Sequence, residues 1–301
     1  MFAEVFMAGR RFRIGTGKFL TRVARYIAAA LVLFTVFAGA SVLSGCSVFR
    51  EAFTKYLEER SGKNKGEEKV TKEVESIWGP PQTQQVFADL CHWDGDIDFD
   101  AMKRDGVRGV VLRLARYNLE IDEKFTEYYA LAKAEGLPVG CYFFSGAHSL
   151  EEAAADAERV LTMIEEMNLE FELPVFYDVE NDGDRLISDN SRQMLTDIIK
   201  TFCEALEEGG ICPGYYSNTD FADNYYYPEQ LTKYCYWVAS WSKKKVLTPD
   251  HYPNVCLWQY TSTASVSGVE EECDMNVTLR DILAYTADWY AKRNAPDPFG
   301  R

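Results

Sequence analysis

Leu173-Pro174-Val175-Phe176-Tyr177-Asp178-Val179-Glu180 is the most informative segment of this 301-residue chain. It begins with apolar and aromatic residues and ends in two acids that are separated by one valine. Because side chains alternate between the two faces of a strand, a strand here puts Asp178 and Glu180 on the same face. Ionised groups resist desolvation, so two acids at the end of a buried strand are costly unless they have a chemical role. The alternative is an acidic strand end that runs into solvent, and the segment alone leaves both interpretations open.

Apolar runs alternate with amphipathic stretches on both sides of this segment. Ser149 and Glu152 form a capping box that predicts a helix to about Asn168, and an apolar stripe from Met194 to Leu206 predicts another. Further strands are predicted at 86–90, 109–114, 137–145, 211–217, 236–241, 255–260 and 273–275. Strands that alternate with helices imply a parallel sheet. The sequence therefore predicts an α/β fold, a single irregular (β/α) TIM-like barrel with fewer or shorter helices than a full eight-fold barrel. A doubly wound open sheet is the alternative, but no glycine-rich phosphate loop follows any strand.

The amino-terminal region has the pattern of an export signal. A basic stretch at 10–25 precedes an uncharged, mostly apolar run at 26–43 and then Leu43-Ser44-Gly45-Cys46. This order predicts a secretory signal, and the cysteine after Leu-Ser-Gly resembles a bacterial lipobox in which Cys46 is lipidated. An uncleaved membrane anchor is the alternative. We therefore expect a signal or anchor at 1–45, a tether at 46–84, the barrel at 85–290 and a tail at 291–301, with the body outside the cytoplasm and tethered to a membrane.

Charge and composition exclude several function classes. The formal net charge is −15, and the first 45 residues carry six cations against one acid, so the remainder carries −20. A body this acidic lacks the footprint of a nucleic-acid-binding protein, and it must hold any anionic polymer by short-range contacts. The three histidines are far apart, which argues against a histidine-built metal site, and we expect no cofactor. The acids at 94–100 alternate as in a calcium loop, but Phe99 replaces the required glycine, which favours a strand-to-helix loop.

Seven cysteines follow Cys46 without a CxxC pair, so buried free thiols are expected for residues such as Cys141 and Cys256, although an exported location permits one or two disulfides.

Functional groups of a parallel barrel collect at the carboxyl ends of its strands. Four of the polar residues near the predicted ends are acids: Asp89, Asp178, Glu180 and Asp274. Acids that point to one opening repel each other, which raises at least one pKa. A glycosidase needs this combination, because one acid must stay protonated beside ionised groups that stabilise positive charge on the sugar. Aromatic residues near the same ends suit the faces of sugar rings, although core packing is the more frequent use of any one of them.

These residues together resemble glycoside hydrolase family 25, the Chalaropsis-type lysozymes. The matching motifs are Ala88-Asp89-Leu90-Cys91-His92-Trp93, Ile97-Asp98-Phe99, Gly136-Leu137-Pro138-Val139-Gly140, Pro174 to Glu180, Gly214-Tyr215-Tyr216-Ser217-Asn218, Trp237-Val238-Ala239-Ser240-Trp241, Trp258-Gln259-Tyr260 and Asp274-Met275-Asn276. The resemblance implies hydrolysis of the β-1,4 bond from N-acetylmuramic acid to N-acetylglucosamine in peptidoglycan, without a metal. It implies Glu180 as general acid, Asp89 and Asp178 as nucleophile or orienter of the N-acetyl group, and Asp274 as part of the acidic floor. The substrate-contacting residues that we expect are Trp93, Tyr142, Ser145, Asn218, Trp241, Trp258 and Gln259.

Three departures from the family pattern are visible. Cys91 stands where serine is common, Asp94 stands where glutamine is common, and Ala115-Arg116-Tyr117 replaces a Gly-Tyr-Gly-like segment. The last change replaces small residues beside the groove, so we expect it to alter which peptide-substituted glycans fit. Two other functions remain open, a non-catalytic glycan-binding module on the same barrel and hydrolysis of a chitin-like glycan, since an Asp-x-Glu strand end also occurs in substrate-assisted chitinases.

Overall fold

A computed structural model describes residues 84–118, 120–180, 190–241 and 252–294, and it confirms the predicted barrel. The eight strands close into one sheet in chain order. They are β1 (Val86–Leu90), β2 (Val107–Arg116), β3 (Val139–Phe144), β4 (Val175–Asp178), β5 (Pro213–Asn218), β6 (Cys235–Ala239), β7 (Val255–Ala264) and β8 (Cys273–Thr278). The α-helices of the described residues are α1 (Phe99–Asp105), α2 (Phe125–Ala134), α3 (Leu150–Glu166), α4 (Arg192–Glu208), α5 (Thr219–Asn224) and α6 (Ile282–Asn294).

The direction of the last strand differs from the prediction. Neighbouring strands from β1 to β7 are parallel, whereas β8 pairs antiparallel with both β7 and β1. The expectation of a wholly parallel sheet is therefore wrong at β8. Only residues 265–272 separate β7 from β8, and a parallel connection needs a crossover of a dozen or more residues. The barrel is consequently a mixed one.

Strand β4 has the two-sided character that its sequence predicts. Phe176 lies inside the barrel with its ring 5.3 Å from that of Trp237, and Tyr177 lies outside with its ring stacked 3.9 Å from that of Phe202 on α4. The backbone N–H of Val179 donates to the Tyr216 carbonyl at 3.1 Å, so the pairing with β5 continues beyond the end of β4. The alternation of faces therefore extends to Glu180, which follows Asp178 on the inner side.

The barrel interior is filled around the fully buried Trp237. Its ring contacts Tyr142, Phe176 and Tyr216 at centroid distances of 5.7, 5.3 and 4.4 Å. Gly214 is required beside this cluster, because a Cβ there would lie 2.5 Å from the Phe176 ring. These aromatic residues form the floor below the carboxyl ends of the strands.

Helix starts follow their capping residues. The Ser149 hydroxyl accepts the Glu152 N–H at the start of α3, and Ser191 caps α4 through the Met194 N–H. Both predicted helices are confirmed. Asp98 caps α1 in the same way, so the calcium-like acidic segment is the strand-to-helix loop that the sequence favoured. None of the helices in the described ranges is long and apolar enough to cross a membrane.

One pair of cysteines differs from the expectation of free thiols. Cys235 on β6 and Cys256 on β7 form a disulfide, so the expectation of a free thiol at Cys256 is wrong. The two residues face each other across neighbouring strands, which places their Cα atoms 5.9 Å apart, within disulfide reach. Free thiols are found at Cys91, Cys141, Cys203, Cys212 and Cys273. The predicted signal or anchor, Cys46 and the tether lie outside the described residues, as does the end of the chain after residue 294.

Candidate active site

Four acids from three strands lie at one end of the barrel; Asp89, Asp178, Glu180 and Asp274 are called here the acid cluster. Asp89 on β1 and Asp274 on β8 are directly opposite each other in the antiparallel pair, and their carboxyl groups share a hydrogen bond. Asp178 interacts electrostatically with both Glu180 and Asp89, and Glu180 also interacts with Asp274. Closure of the barrel brings these residues together. Strand β4 lies across the barrel from the β1–β8 pair, and the acids on both sides point into the same opening.

Gln259 on β7 joins the acids through its side-chain amide. Its Nε2 donates to both carboxyl oxygens of Asp89 at 3.1 and 3.0 Å and to Asp274 Oδ2 at 3.0 Å. Its Oε1 accepts from the Trp241 indole N–H at 3.2 Å and from the Tyr216 hydroxyl at 3.1 Å. Because an indole nitrogen can only donate, Trp241 fixes the amide so that its oxygen faces the aromatic side and its nitrogen faces the acids. Gln259 therefore links the exposed Trp241 side chain to Asp89 through hydrogen bonds.

A second amide holds Asp89 in the same manner. Asn276 Nδ2 donates to Asp89 Oδ2 at 2.7 Å, while Asn276 Oδ1 accepts the Trp237 indole N–H at 2.7 Å. Asn276 lies two residues after Asp274 on β8, so both side chains share one face of the strand. Two amides, each oriented by a tryptophan, thus donate hydrogen bonds to the Asp89 carboxylate, and these bonds favour its charged form.

Burial is the main influence on the pKa values of the acid cluster. It raises the pKa of Asp89 well above the usual range, with a further rise from Asp274 that the Gln259 and Asn276 hydrogen bonds oppose. The pKa of Asp178 is raised by burial, by Glu180 and by Asp89, and the Arg113 guanidinium opposes this rise. Burial raises the pKa of Glu180, and a hydrogen bond with the Tyr216 hydroxyl opposes this rise. For Asp274, burial and Asp94 raise the pKa to about 6. The cluster therefore retains protons at pH values where isolated acids have lost them.

Asp178 has a buried carboxyl oxygen without a hydrogen-bond partner in the described part of the chain. The residue is 5% exposed, and its Oδ1 has no hydrogen-bond partner among the described residues. A buried acceptor without a partner costs about 1–3 kcal/mol. Asp89, by contrast, has both oxygens engaged. The two acids are therefore prepared for different tasks.

Asp94 and Arg113 add charge behind the acid cluster. The Asp94 carboxylate accepts the Cys91 N–H at 2.7 Å, and burial raises its pKa. Arg113 donates to Asp122 through Nε at 2.8 Å and forms a 2.7 Å ion pair with it through Nη2. Arg113 lowers the pKa values of both Asp94 and Asp178, so it is the cation that limits charge repulsion here.

An aromatic pocket lies on the β5–β6 side of Glu180. It has a volume of about 460 Å³, and its lining includes Glu180, Tyr216, Asn218, Tyr225 and Trp241. Trp241 is 57% exposed although its indole N–H is bonded, so its ring face remains open to a ligand. A sugar ring that packs on this face would lie beside Glu180.

The other predicted substrate-contacting residues lie in different environments. Asn218 lines the pocket while its side chain caps α5 through the Phe221 N–H, and Tyr142 lies in the aromatic floor. Trp93 is 72% exposed next to β1, with its ring 4.2 Å from that of His92.

Two of these residues lie away from the acid cluster. The Ser145 hydroxyl bonds to Tyr177 and Asp156, between the barrel and α3. Trp258 is buried, adjacent to Gln259 and therefore on the opposite strand face, and its indole N–H donates to the Ser240 carbonyl at 3.0 Å.

Sequence reasoning missed Asn276, Tyr216, Arg113 and the burial of Asp94 as parts of the site. Asn276 could have been found, because the rule that paired Asp178 with Glu180 also pairs it with Asp274. Arg113 had no comparable signal, since its partner Asp122 lies beyond the end of β2 in a loop. Within the described ranges, no group of three or more His, Cys, Asp or Glu side chains has an arrangement that could hold a metal ion.

Comparison with known proteins gives a consistent set of similarities. Residues 88–269 match the family model described as glycosyl hydrolases family 25. The chain is 23% identical over 199 residues to the autolytic lysozyme of Clostridium acetobutylicum, covering 65% of this chain and 56% of that protein. A bacterial lysozyme from Streptomyces coelicolor has a similar fold, with a TM-score of 0.59, 20% identity and coverage of 68% of this chain and 98% of the other. The modular autolysin LytC from Streptococcus pneumoniae, solved with a synthetic peptidoglycan ligand, matches with a TM-score of 0.57 and 21% identity over 65% of this chain and 46% of its own. The present chain thus spans about half the length of the Clostridium acetobutylicum lysozyme and of LytC.

Proposed function

The chain belongs to glycosyl hydrolases family 25, and we propose that it is a peptidoglycan hydrolase of the Chalaropsis type. The bond cleaved is the β-1,4 bond between N-acetylmuramic acid and N-acetylglucosamine. The observation that carries this proposal is the acid cluster, in which acids from three strands meet beside an aromatic pocket and one amide bridges two of them. A site that only bound neutral glycans would have no use for carboxyl groups that are buried at such cost.

Glu180 is the general acid of the proposed reaction. Burial raises its pKa, so it keeps a proton for the leaving oxygen, and it lines the open pocket where a sugar can reach it. The Tyr216 hydroxyl hydrogen-bonds to the carboxyl group and fixes its position. Proton donation makes the leaving sugar a neutral alcohol and leaves positive charge on the sugar ring.

Asp89 and Asp178 divide the remaining work. Asp89 is held by Gln259 and Asn276 in a fixed orientation, which suits an ionised group that stabilises the developing positive charge. Asp178 contacts the reacting sugar through its carboxyl group, either as the nucleophile or as the acceptor of the N-acetyl N–H, and its Oδ1 has no competing partner among the described residues. Asp274 hydrogen-bonds to Asp89, so a proton held by these two acids belongs to the pair.

Location follows from the amino-terminal sequence. We propose that the chain is exported and tethered to a membrane, with Cys46 as the lipidated residue. Labelling with a fatty-acid analogue tests this directly. A Cys46→Ala protein that still carries the label would contradict it.

Analysis of the products of purified peptidoglycan tests the proposed bond. After digestion and borohydride reduction, the new reducing ends should be muramitol. Glucosaminitol would show that the other glycosidic bond is cleaved, and binding without any new reducing ends would point to a glycan-binding module. Chito-oligomers serve as the control substrate, and faster cleavage of these than of peptidoglycan would favour a chitin-like substrate.

A further inference from the structure

The carboxyl ends of β1 and β2 carry a cationic and aromatic patch that acid catalysis does not use. It consists of His92, Trp93, Arg116 and Tyr117 and is called here the β1–β2 patch. Trp93 is 72% and Tyr117 58% exposed, and Trp93 and Tyr117 are the two most exposed large apolar side chains among the described residues. Large exposed aromatic groups beside a polar opening mark contact surfaces for a ligand.

Of the two arginines near the patch, Arg113 is paired with an acid and Arg116 is not. Arg113 is held by Asp122 in a largely buried ion pair, and the same carboxylate also accepts the backbone N–H groups of His92 and Lys124. Within residues 84–118, 120–180, 190–241 and 252–294, Arg116 forms no ion pair with any acid. The patch therefore has an excess positive charge in a protein whose residues after 45 carry −20.

The Arg116 guanidinium also keeps most of its donors available. Its Nη2 lies 3.3 and 3.2 Å from the Nδ1 and Nε2 atoms of His92, and a neutral imidazole can accept only one hydrogen bond. Arginine has five N–H donors in a fork that matches a carboxylate. At least four of them thus have no acceptor on the described part of the chain, while contact with the imidazole holds the side chain in place.

The strand register gives the distance from Arg116 in this patch to Asp178 in the acid cluster. Arg116 is paired with Phe144 on β3, and Phe144 is paired with Asp178 on β4. Two strand spacings separate Arg116 from Asp178, which is about 10 Å. A sugar at Asp178 with a short side branch of one to three residues, each about 3.5 Å long when extended, would bring that branch to Arg116.

We infer that Arg116 binds a carboxylate of the peptide attached to N-acetylmuramic acid, with Trp93 and Tyr117 packing against the same branch. This inference rests on the proposed function and adds a substrate preference for peptide-bearing glycan. A phosphate of another wall polymer offers similar chemistry, but the strongly acidic body repels long polyanions. A single carboxylate delivered on the bound glycan is held by short-range contacts and encounters less of that repulsion.

Equilibrium binding to an inactive protein tests the inference without depending on turnover. The parent is Glu180→Gln, titrated by calorimetry with the disaccharide of N-acetylglucosamine and N-acetylmuramic acid, with and without a tripeptide. Arg116→Gln is then added, and Arg104→Gln is the matched control because Arg104 is an exposed cation on the outer helix α1. Losing one partly exposed charge-assisted hydrogen bond should weaken binding of the peptide-bearing ligand about five- to tenfold. Binding of the bare disaccharide should not change, and Arg104→Gln should match the parent with both ligands.

Three results would overturn the inference. One is equal weakening of both ligands by Arg116→Gln, and another is a parent that binds the two ligands equally well. The third is an effect confined to a glycerol-phosphate oligomer titrated in parallel, which would assign the patch to a phosphate polymer. Unfolding midpoints of the variants, measured alongside, separate a lost contact from a lost fold. Wild-type hydrolysis of peptidoglycan distinguishes the two proposals, because active enzyme with no Arg116 effect defeats only this one.

Discussion

Replacing Asp274 with asparagine is expected to stabilise the protein at neutral pH. Burial and the neighbouring Asp94 raise the pKa of Asp274 from its ordinary value of 3.8 to about 6. Between these values the folded protein holds a proton that the unfolded chain releases, so stability falls as the pH rises from about 4 to about 6. Above about pH 6 the folded protein carries the full cost of ionising Asp274. The rise of its pKa to about 6 corresponds to about 3 kcal/mol of stability. Because Asp274 shares a hydrogen bond with Asp89, part of this cost belongs to the pair, and we expect a gain of about 1–3 kcal/mol.

Asparagine is the appropriate replacement because it resembles the protonated acid. Its oxygen can accept the Gln259 amide hydrogen, and its nitrogen can donate to Asp89. Urea unfolding of wild type and variant at about pH 4 and about pH 7.5 measures the effect. The two proteins should be nearly equally stable at the lower pH and differ at the higher one, while Glu271→Gln in the exposed loop before β8 should show no such pH-dependent gain. A variant that gains nothing at pH 7.5, or gains as much at pH 4, would refute the reasoning.

Two further predictions concern the bridging amide and the disulfide. Gln259→Leu removes hydrogen bonds to Asp89 that are worth about 1.5–3 kcal/mol, so kcat should fall about 10- to 100-fold. Because those bonds lower the pKa of Asp89, their loss should also move the acidic limb of the pH–rate profile to higher pH. An unchanged pH profile would mean that Gln259 only fills space. Replacing both Cys235 and Cys256 with alanine opens a loop of sequence separation 21, and unfolding in urea should show a loss of about 3 kcal/mol that excess reductant reproduces in the wild type. Equal stability of the oxidised and reduced wild type would contradict the pairing.

Much of the fold was predictable because its signals are local. An apolar and aromatic run that ends in two acids indicated β4, a capping box indicated α3, and an apolar stripe indicated α4. The direction of β8 has no local signal, since a strand has the same residue pattern whichever way it runs. The Cys235–Cys256 pairing depends likewise on which strands become neighbours, and that is a property of the closed barrel.

The site was predictable where a residue type and a strand face coincide. The acids could be placed together because each lies near a strand end, and the two-residue spacing from Asp274 places Asn276 on the same face of β8. Adjacent residues of one strand cannot both face the barrel opening, so alternation places Trp258 away from Gln259 and Ser145 away from Phe144. The Gln259 bridge could not be predicted, because it requires the three-dimensional distances among β1, β7 and β8.

The activity of Glu180→Gln on purified peptidoglycan tests the central claim most directly. Glutamine keeps the shape of the side chain and its contact with Tyr216 but cannot donate a proton to the leaving oxygen. Loss of general acid catalysis is worth about 10²- to 10⁴-fold, so release of muramic-acid reducing ends should fall by at least 100-fold while the unfolding midpoint stays at or above that of the wild type. A correctly folded Glu180→Gln protein that releases those ends at the wild-type rate would contradict the account.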